Sequence, residues 1–338
     1  GLHNKNHPIM LFLSANKAYE HVFTDGFRTF IKINDHIYEP FVNPEFPHRM
    51  GILKDSFYIE ETHPTLGLKI KVTYFGMPNM PVAVLYRHVE ITNLKGEKSI
   101  EVLDGLAEII PAGLSTDAFK GLSNLMVSWM DVIGHDSGYA FYKLRGSTGD
   151  SAEMSQHSDG NFYFAYDHEG LIPPITDPTL VFESDTSKRT PLGLKKGIQV
   201  LKEADQVNVN QVPSAFIPLD KTLSEGDTYE WVALSGHVSN RQILDDHLPE
   251  LSQFKTFRKH QALAKDVIDS MVKDVHTETA YPLFDAYIQQ NYLDNLLRGG
   301  YPVTFNDHVY HLYARRHGDL ERDYNFFSLA PEYYSTGS

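Results

Sequence analysis

"RHVEITNLKGEKSIEVLDGLAEI", running from Arg87 to Ile109, is the stretch on which the fold class turns. It reads as two strands of period-2 patterning on either side of Lys95-Gly96-Glu97, and the glycine predicts a hairpin turn between them. Upstream, "KIKVTYF" sets Ile70, Val72 and Tyr74 against Lys69, Lys71 and Thr73. Strict alternation of that kind marks an antiparallel strand with one face buried and one wet. "NFYFAYD" (161–167), "TLVFES" (179–184), "GIQVLKEA" (197–204) and "TYEWVALSGHV" (228–238) extend the pattern. Turn residues separate such runs at "HDSG", "STGD", "DHEG" and "SEGD". About a dozen strands with no helices among them predict a mainly β chain, built as a large antiparallel sandwich and not as an α/β sheet.

The period changes after Val238. In "SQFKTFRKHQALAKDVIDSMVKDVH" (252–276), Phe254, Phe257, Leu263, Ala264, Val267, Ile268, Met271 and Val275 fall at 3- and 4-residue steps, one stripe of a long helix. Pro282 opens a second helix that carries Phe284, Tyr287, Ile288, Leu296 and Leu297 on one side and stops at Gly299-Gly300. The expected organisation is a β-sandwich over 1–238, a small helical linker over 239–300, and the beginning of a further region over 301–338. Two helices alone cover their own apolar faces only partly, so association with another surface, a second copy included, is expected.

Composition narrows the function classes. Of 338 residues, 41% are apolar and 22% charged, the make-up of an ordinary globular chain. The net charge of −14, with Lys and Arg scattered, argues against a nucleic-acid partner and suits polar small molecules. With no cysteine, disulfides, thiolate metal sites and a Cys nucleophile are excluded together. No apolar run approaches the roughly 20 residues that span a bilayer, so no membrane partner is expected. "GLHNKNHPIM" at the start does not read as a signal peptide, and a cytoplasmic location is the expectation. The 19 Tyr and 20 Phe would suit packing on pyranose rings, although core packing claims most aromatics first.

Standard catalytic signatures are missing. "GLSTD" and "GLSNL" lack the last glycine of a nucleophile elbow, and no phosphate-cradling glycine loop occurs. His308, His311 and His317 do not match a metal-ligand spacing. Three stretches remain. "VNPEFPHRMG" (42–51) reads as a turn, and Pro111–Asp131 reads as a long loop with Trp129 near its end. The third, "ARRHGDLERDYNFFSLAPEYYSTGS" (314–338), packs Arg315, Arg316, Asp319, Glu321, Arg322 and Asp323 into nine residues beside Tyr324 and Asn325. Either it is a solvated turn with interlocked ion pairs, or it is a polar cradle in which Arg and carboxylates hold sugar hydroxyls while Tyr324 stacks.

The Arg87–Ile109 stretch together with "DAFKGLSNLMVSW" (117–129) resembles the N-terminal sandwich of the inverting phosphorylases of glycoside hydrolase family 94, the cellobiose phosphorylase group. "LFDAYIQQNYLDNLLRGGYPV" (283–303) and "YHLYARRHGDLERDYNFF" (310–327) are similar to one branch, the 1,2-β-oligoglucan phosphorylases, whose chains are far longer. The resemblance implies a galactose-mutarotase-like super-sandwich and a helical linker ahead of an (α/α)6 barrel. It implies phosphorolysis of a β-linked gluco-oligosaccharide to a sugar 1-phosphate, with inorganic phosphate as co-substrate and no cofactor. The family's general acid is an Asp of the barrel, so no catalytic residue is assigned here, and neither Asp319 nor Asp323 takes that role. An inverting hydrolase needs a second carboxylate roughly 6.5–9.5 Å from its acid to activate water, whereas phosphate attacks the anomeric carbon itself. By the same resemblance Asp319, Arg322, Asp323, Tyr324, Asn325 and Trp129 become the candidate sugar-binding residues, Arg322 pairing alternatively with Asp319. This segment alone is expected to be inactive, a part of a longer enzyme that packs on its own barrel and forms, in one reading, a homodimer.

Overall fold

A computed structural model describes residues 24, 26–113, 121–146, 158–299, 303–305 and 308–310. The chain begins with β1 (Phe27–Ile33), β2 (His36–Tyr38), β3 (His48–Ile52), β4 (Ser56–His63), β5 (Leu68–Gly76), β6 (Ala83–Asn93) and β7 (Lys98–Leu106). A short α1 (Ser123–Val127) precedes β8 (Met130–Ile133), β9 (Ala140–Leu144), β10 (Gly160–Asp167) and β11 (Gly170–Ile172). Three short helices follow: α2 (Pro178–Phe182), α3 (Leu192–Lys195) and α4 (Ile198–Glu203). Then come β12 (Ala215–Leu223), β13 (Thr228–Val238), α5 (Arg241–Leu251), α6 (Phe254–Val272), α7 (Pro282–Gly299) and the small pair β14 (Val303–Phe305) and β15 (His308–Tyr310).

Among the described residues, β12-β7-β1-β2 form one antiparallel sheet and β3-β4-β5-β6-β13-β10-β9-β8, with β11 on β10, form a larger one. The two stack face to face. Ile31, Ile100, Val102 and Ile217 of the small sheet meet Ile70, Val72, Val89, Ile91 and Trp231 of the large one in a single core. Both outer faces are also covered. Phe30, Leu103 and Phe216 lie under Val181, Phe182, Leu194, Ile198 and Leu201 of α2–α4. On the other side Phe75, Tyr86, Phe162, Phe164 and Leu234 lie under Leu244, Leu248 and Leu251 of α5 and Phe257 and Ala264 of α6. The mainly β, antiparallel sandwich expected from the alternating runs is therefore the architecture, with helices behind each sheet.

The stretch that announced the sandwich is not a hairpin. β6 pairs with β5 and β13, whereas β7 pairs with β1 and β12 in the opposite sheet, so the chain crosses between layers at Leu94–Glu97. Gly96, at φ 61°, makes the bend, as a glycine in a hairpin would, and composition cannot separate the two outcomes. The neighbouring β12–β13 connection crosses in the same way, with Gly226 at φ 91°. The two crossings lock together: Asn93 N donates to the Asp227 carbonyl at 2.9 Å, and Gly226 N donates to the Asn93 carbonyl at 2.7 Å. The fully buried Asn93 amide donates to the Leu223 carbonyl at 2.9 Å, while Gly96 N donates to the Glu225 carboxylate at 2.7 Å.

Two predicted strands are helices. Thr179–Ser184 falls largely in α2, because Asp177 caps it by accepting from Thr179 N at 2.9 Å and Pro178 supplies a preset φ at its first turn. Gly197–Ala204 falls in α4, whose Ile198 and Leu201 bury toward the small sheet. The strands are thus interrupted by helices, contrary to the expectation. α5 was not foreseen either; Asn240 caps it, accepting from Gln242 N at 2.9 Å. α6 and α7 lie where the helical periods placed them, but Phe284 and Tyr287 of α7 are exposed, together with Tyr281 and Leu283. In Val42–Gly51, the second half is the start of edge strand β3. Pro111–Asp131 contains α1 and the first residues of β8, and its residues 114–120 lie outside the described set. No helix among the described residues is long and apolar enough to cross a membrane.

One polar cluster sits inside the sandwich. Arg87, from β6, donates from Nη2 to Asp104 Oδ1 of β7 at 2.6 Å and to Thr29 Oγ1 of β1 at 2.7 Å. Trp231 Nε1 donates to the other Asp104 oxygen at 2.9 Å, and Thr29 Oγ1 donates to Asp104 Oδ1 at 2.6 Å. The Phe27 and Tyr74 rings flank the guanidinium at 5.1 and 5.3 Å. Burial opposes the Arg87 charge, but Asp104 outweighs it and holds the guanidinium's pKa above its ordinary value. With both groups sealed from solvent, this is an inter-sheet clamp and not a ligand site.

Histidine burial sets an acid limit on the fold. Burial pushes His63, His135 and His260 below the ordinary value of 6.5. Their contacts agree: His63 Nδ1 accepts from Thr65 N and Leu66 N at 3.3 and 3.1 Å, and His260 Nδ1 lies 2.8 Å from the Tyr86 hydroxyl. The unfolded chain protonates first, so the stability these neutral rings hold above pH 6.5 is lost as pH falls through it. Urea unfolding between pH 8 and 5.5 should show stability declining by at most about 1.4 kcal/mol per pH unit for each ring. A profile flat across that range would contradict neutral burial.

Candidate functional site

An open cleft of about 430 Å³ lies where the edges of the two sheets come together beside α4. One wall is the β10–β11 hairpin. Asp167 and Gly170 pair across its two-residue turn, and Asp167 Oδ1 accepts from Glu169 N at 2.8 Å, which fixes the turn. The opposite wall is edge strand β12, whose Pro218 removes an N–H that a central strand would need. Lys202 of α4 and Gln206 complete the rim, and Leu171, Ile172, Ile175 and Leu219 supply an apolar lining.

The polar groups of the cleft alternate in sign. Asp167 accepts from the Tyr229 hydroxyl at 2.6 Å. Burial, then this bond to Asp167, pushes the phenol far above its ordinary range, so Tyr229 is a neutral donor held in place. Lys221 Nζ bonds to Glu169 and lies 5.4 Å over the Tyr229 ring; the Glu169 bond raises its pKa. Lys202 Nζ bonds to Asp220 on the same strand as Lys221. Gln206 Oε1 accepts from Thr176 N at 2.7 Å, which orients its amide. The rim thus offers carboxylate acceptors and ammonium donors in adjacent pairs over an apolar lining, an arrangement suited to a neutral, hydroxyl-rich molecule. Asp220 and Glu169 are each engaged by a lysine.

Of the residues singled out from the sequence, Trp129 is half-buried between α1 and β8 and does not line the cleft. Asp319, Arg322, Asp323, Tyr324 and Asn325 lie outside the described residues. The cleft residues were not foreseen. "DHEG" (167–170) reads only as a turn, and Lys221 and Asp220 read as the wet face of a strand, until the crossing of β12 into β13 brings them beside Tyr229. Among the described residues, His88, Glu90 and Glu230 form the one group spaced to hold a metal ion. They stand on the outer face of the large sheet, away from the cleft's lining.

No family model matches the sequence, and no curated protein matches it. Among solved structures, a protein described as a kojibiose phosphorylase from the human microbiome aligns with 80% of this chain at 9% identity and a TM-score of 0.32. A polysaccharide lyase aligns with 70% at 10% identity and a TM-score of 0.35. A glycoside hydrolase family 36 α-galactosidase from Geobacillus stearothermophilus, in complex with raffinose, aligns with 62% at 9% identity and a TM-score of 0.24. The chain spans 27%, 30% and 29% of the lengths of these three proteins.

Proposed function

We propose that the chain is the N-terminal sandwich and linker of a carbohydrate-active enzyme, an inverting β-glucan phosphorylase. The observation that carries the reading is the order of parts: a sandwich, a helical stretch, then the 283–303 and 310–327 motifs that resemble the 1,2-β-oligoglucan branch of family 94. In the reaction, a phosphate oxygen attacks the anomeric carbon as the bond to the leaving sugar breaks. A barrel carboxylic acid protonates the leaving oxygen, and inversion of a β-glucoside gives the α-glucosyl phosphate. None of those bonds is handled by this segment. Its part is to hold the glucan: Glu169 and Asp220 accept from sugar hydroxyls, Lys202 and Lys221 donate to them, and the apolar lining meets the pyranose face. Asp319, Arg322, Asp323, Tyr324 and Asn325 would line the far end of the substrate path, with Trp129 on the loop that reaches over it.

The exposed Tyr281, just ahead of α7, and Leu283, Phe284 and Tyr287 of α7 favour a second reading, a sandwich that serves dimerisation or sugar binding without catalysis. Phosphorolysis separates the readings, and calorimetric titration with short β-1,2-glucans and cellobiose tests the cleft. Binding by this chain should weaken about tenfold or more in Lys202→Met and Glu169→Gln, as expected for lost charged hydrogen bonds. In the natural enzyme, orthophosphate should be consumed as sugar 1-phosphate appears. Release of free glucose with no phosphate uptake would sink the phosphorylase assignment, and glucan binding indifferent to both variants would sink the cleft.

A further inference from the structure

On β6 and β13, Glu90 and Glu230 stand directly opposite each other and point to the same, outer face of the large sheet. Like charges placed so are destabilising unless something neutralises them. Two monovalent cations do so here: Lys71 Nζ lies 3.5 Å from Glu90, and Arg258 Nη2 of α6 lies 3.1 Å from Glu230. Both are loosely held, with side chains 39% and 52% exposed. Of the two imidazoles beside them, one is buried and fixed and the other is exposed. His88 is buried, with Nε2 2.6 Å from Glu230 Oε2 and Nδ1 3.9 Å from Glu90 Oε2. His168 stacks on Phe254 at 4.1 Å and places Nε2 3.2 Å from the second oxygen of Glu230.

We propose that this cluster is a divalent-cation site of the zinc class, with His88, Glu90 and Glu230 as ligands and His168 orienting Glu230 from outside the group. One ligand atom from each of the first three lies within 4.8 Å of the others, so a small side-chain adjustment converges them on one ion at about 2.0–2.2 Å. The charge balance is already set: one divalent ion replaces Lys71 and Arg258, which swing out to solvent from half-exposed positions. Mixed imidazole and carboxylate donors favour Zn²⁺ or Co²⁺, whereas Mg²⁺ prefers oxygen ligands and retained water.

The test is titration of the chelator-treated protein with Zn²⁺ by calorimetry and native mass spectrometry. One ion per chain should bind, at least a hundredfold more tightly than Mg²⁺, and Co²⁺ should give a visible absorption band. Glu90→Gln should weaken Zn²⁺ at least tenfold and diminish the cobalt band. Arg258→Gln should tighten Zn²⁺, because it removes a competing cation; a purely structural ion-pair network predicts no such gain. Should Glu230→Gln fail to fold, Glu90→Gln and Arg258→Gln still decide. Absence of Zn²⁺ uptake would overturn the site, and so would an affinity that none of these variants moves, which would assign the bound ion to others of the 17 histidines.

Discussion

Replacing Asp104 with alanine is expected to destabilise the protein by about 3–5 kcal/mol, the range for removing one partner of a buried ion pair. Asp104 is completely buried and accepts from Arg87, Thr29 and the Trp231 indole. Its loss strands the Arg87 charge inside the sandwich and leaves two further donors without an acceptor. Against a typical total stability of about 5–15 kcal/mol, that is a large part of what holds the domain folded. The interaction joins β6 of one sheet to β7 of the other, so the cost falls on the stacking of the layers. Arg87→Met combined with Asp104→Leu should recover much of the loss, because removing both charges also removes the cost of burying them. Denaturant midpoints of the two proteins measure both effects. If the Asp104 variant matched the parent, the clamp would contribute nothing; if the double variant were no better than the single, the penalty would lie in shape and not in charge.

The same pair marks the limit of what was legible in the sequence. Arg87 and Asp104 open and nearly close the stretch that reads as a hairpin, and a turn centred on Gly96 would set Arg87 opposite Gly105 and Asp104 opposite His88, on different faces of the ladder. They meet instead across the sandwich, because β6 and β7 lie in different layers. Local pattern carried the strand content: Ile70 and Val72 are buried and Lys69 and Lys71 are not, as alternation in "KIKVTYF" requires. It could not carry the partner of each strand, which depends on whether the Gly96 bend returns within a sheet or crosses between sheets. In "TLVFES" and "GIQVLKEA", six and eight residues fit a strand or a helix turn equally, and the decisive marks lie at the edges, at Asp177-Pro178 and Gly197. The cleft was illegible for the topological reason. Glu169 and Lys221 are 52 residues apart, and only the pairing of β10 with β13 and of β12 with β7 brings them together.

Phe257→Ala on α6 should cost about 3–5 kcal/mol, as for other large buried aromatics. Phe257 is fully buried, and its ring lies 5.6 Å from both Phe75 and Tyr86 and 5.0 Å from His88. It therefore fastens the first helix turns to the outer face of the large sheet. The informative part is how the loss appears. If the helices formed a separable linker, they would peel away first and leave a folded sandwich. The sheet face beneath them argues otherwise, because Phe75, Tyr86, Phe162, Phe164 and Leu234 have α5 and α6 as their cover. Uncovering that many apolar side chains opposes detachment, since each buried aromatic or aliphatic group contributes about 1.5–3 kcal/mol. Helix and sandwich should then unfold in one transition, shifted to lower denaturant. With Trp129 replaced by Phe, fluorescence reports only on Trp231, which lies between the sheets, and far-UV circular dichroism reports on the helices. Coincident curves would make the helices part of the sandwich's own cooperative unit. A helical transition that precedes the Trp231 change would instead divide the chain near Val238, and α6 would then be a docked segment free to exchange one surface for another.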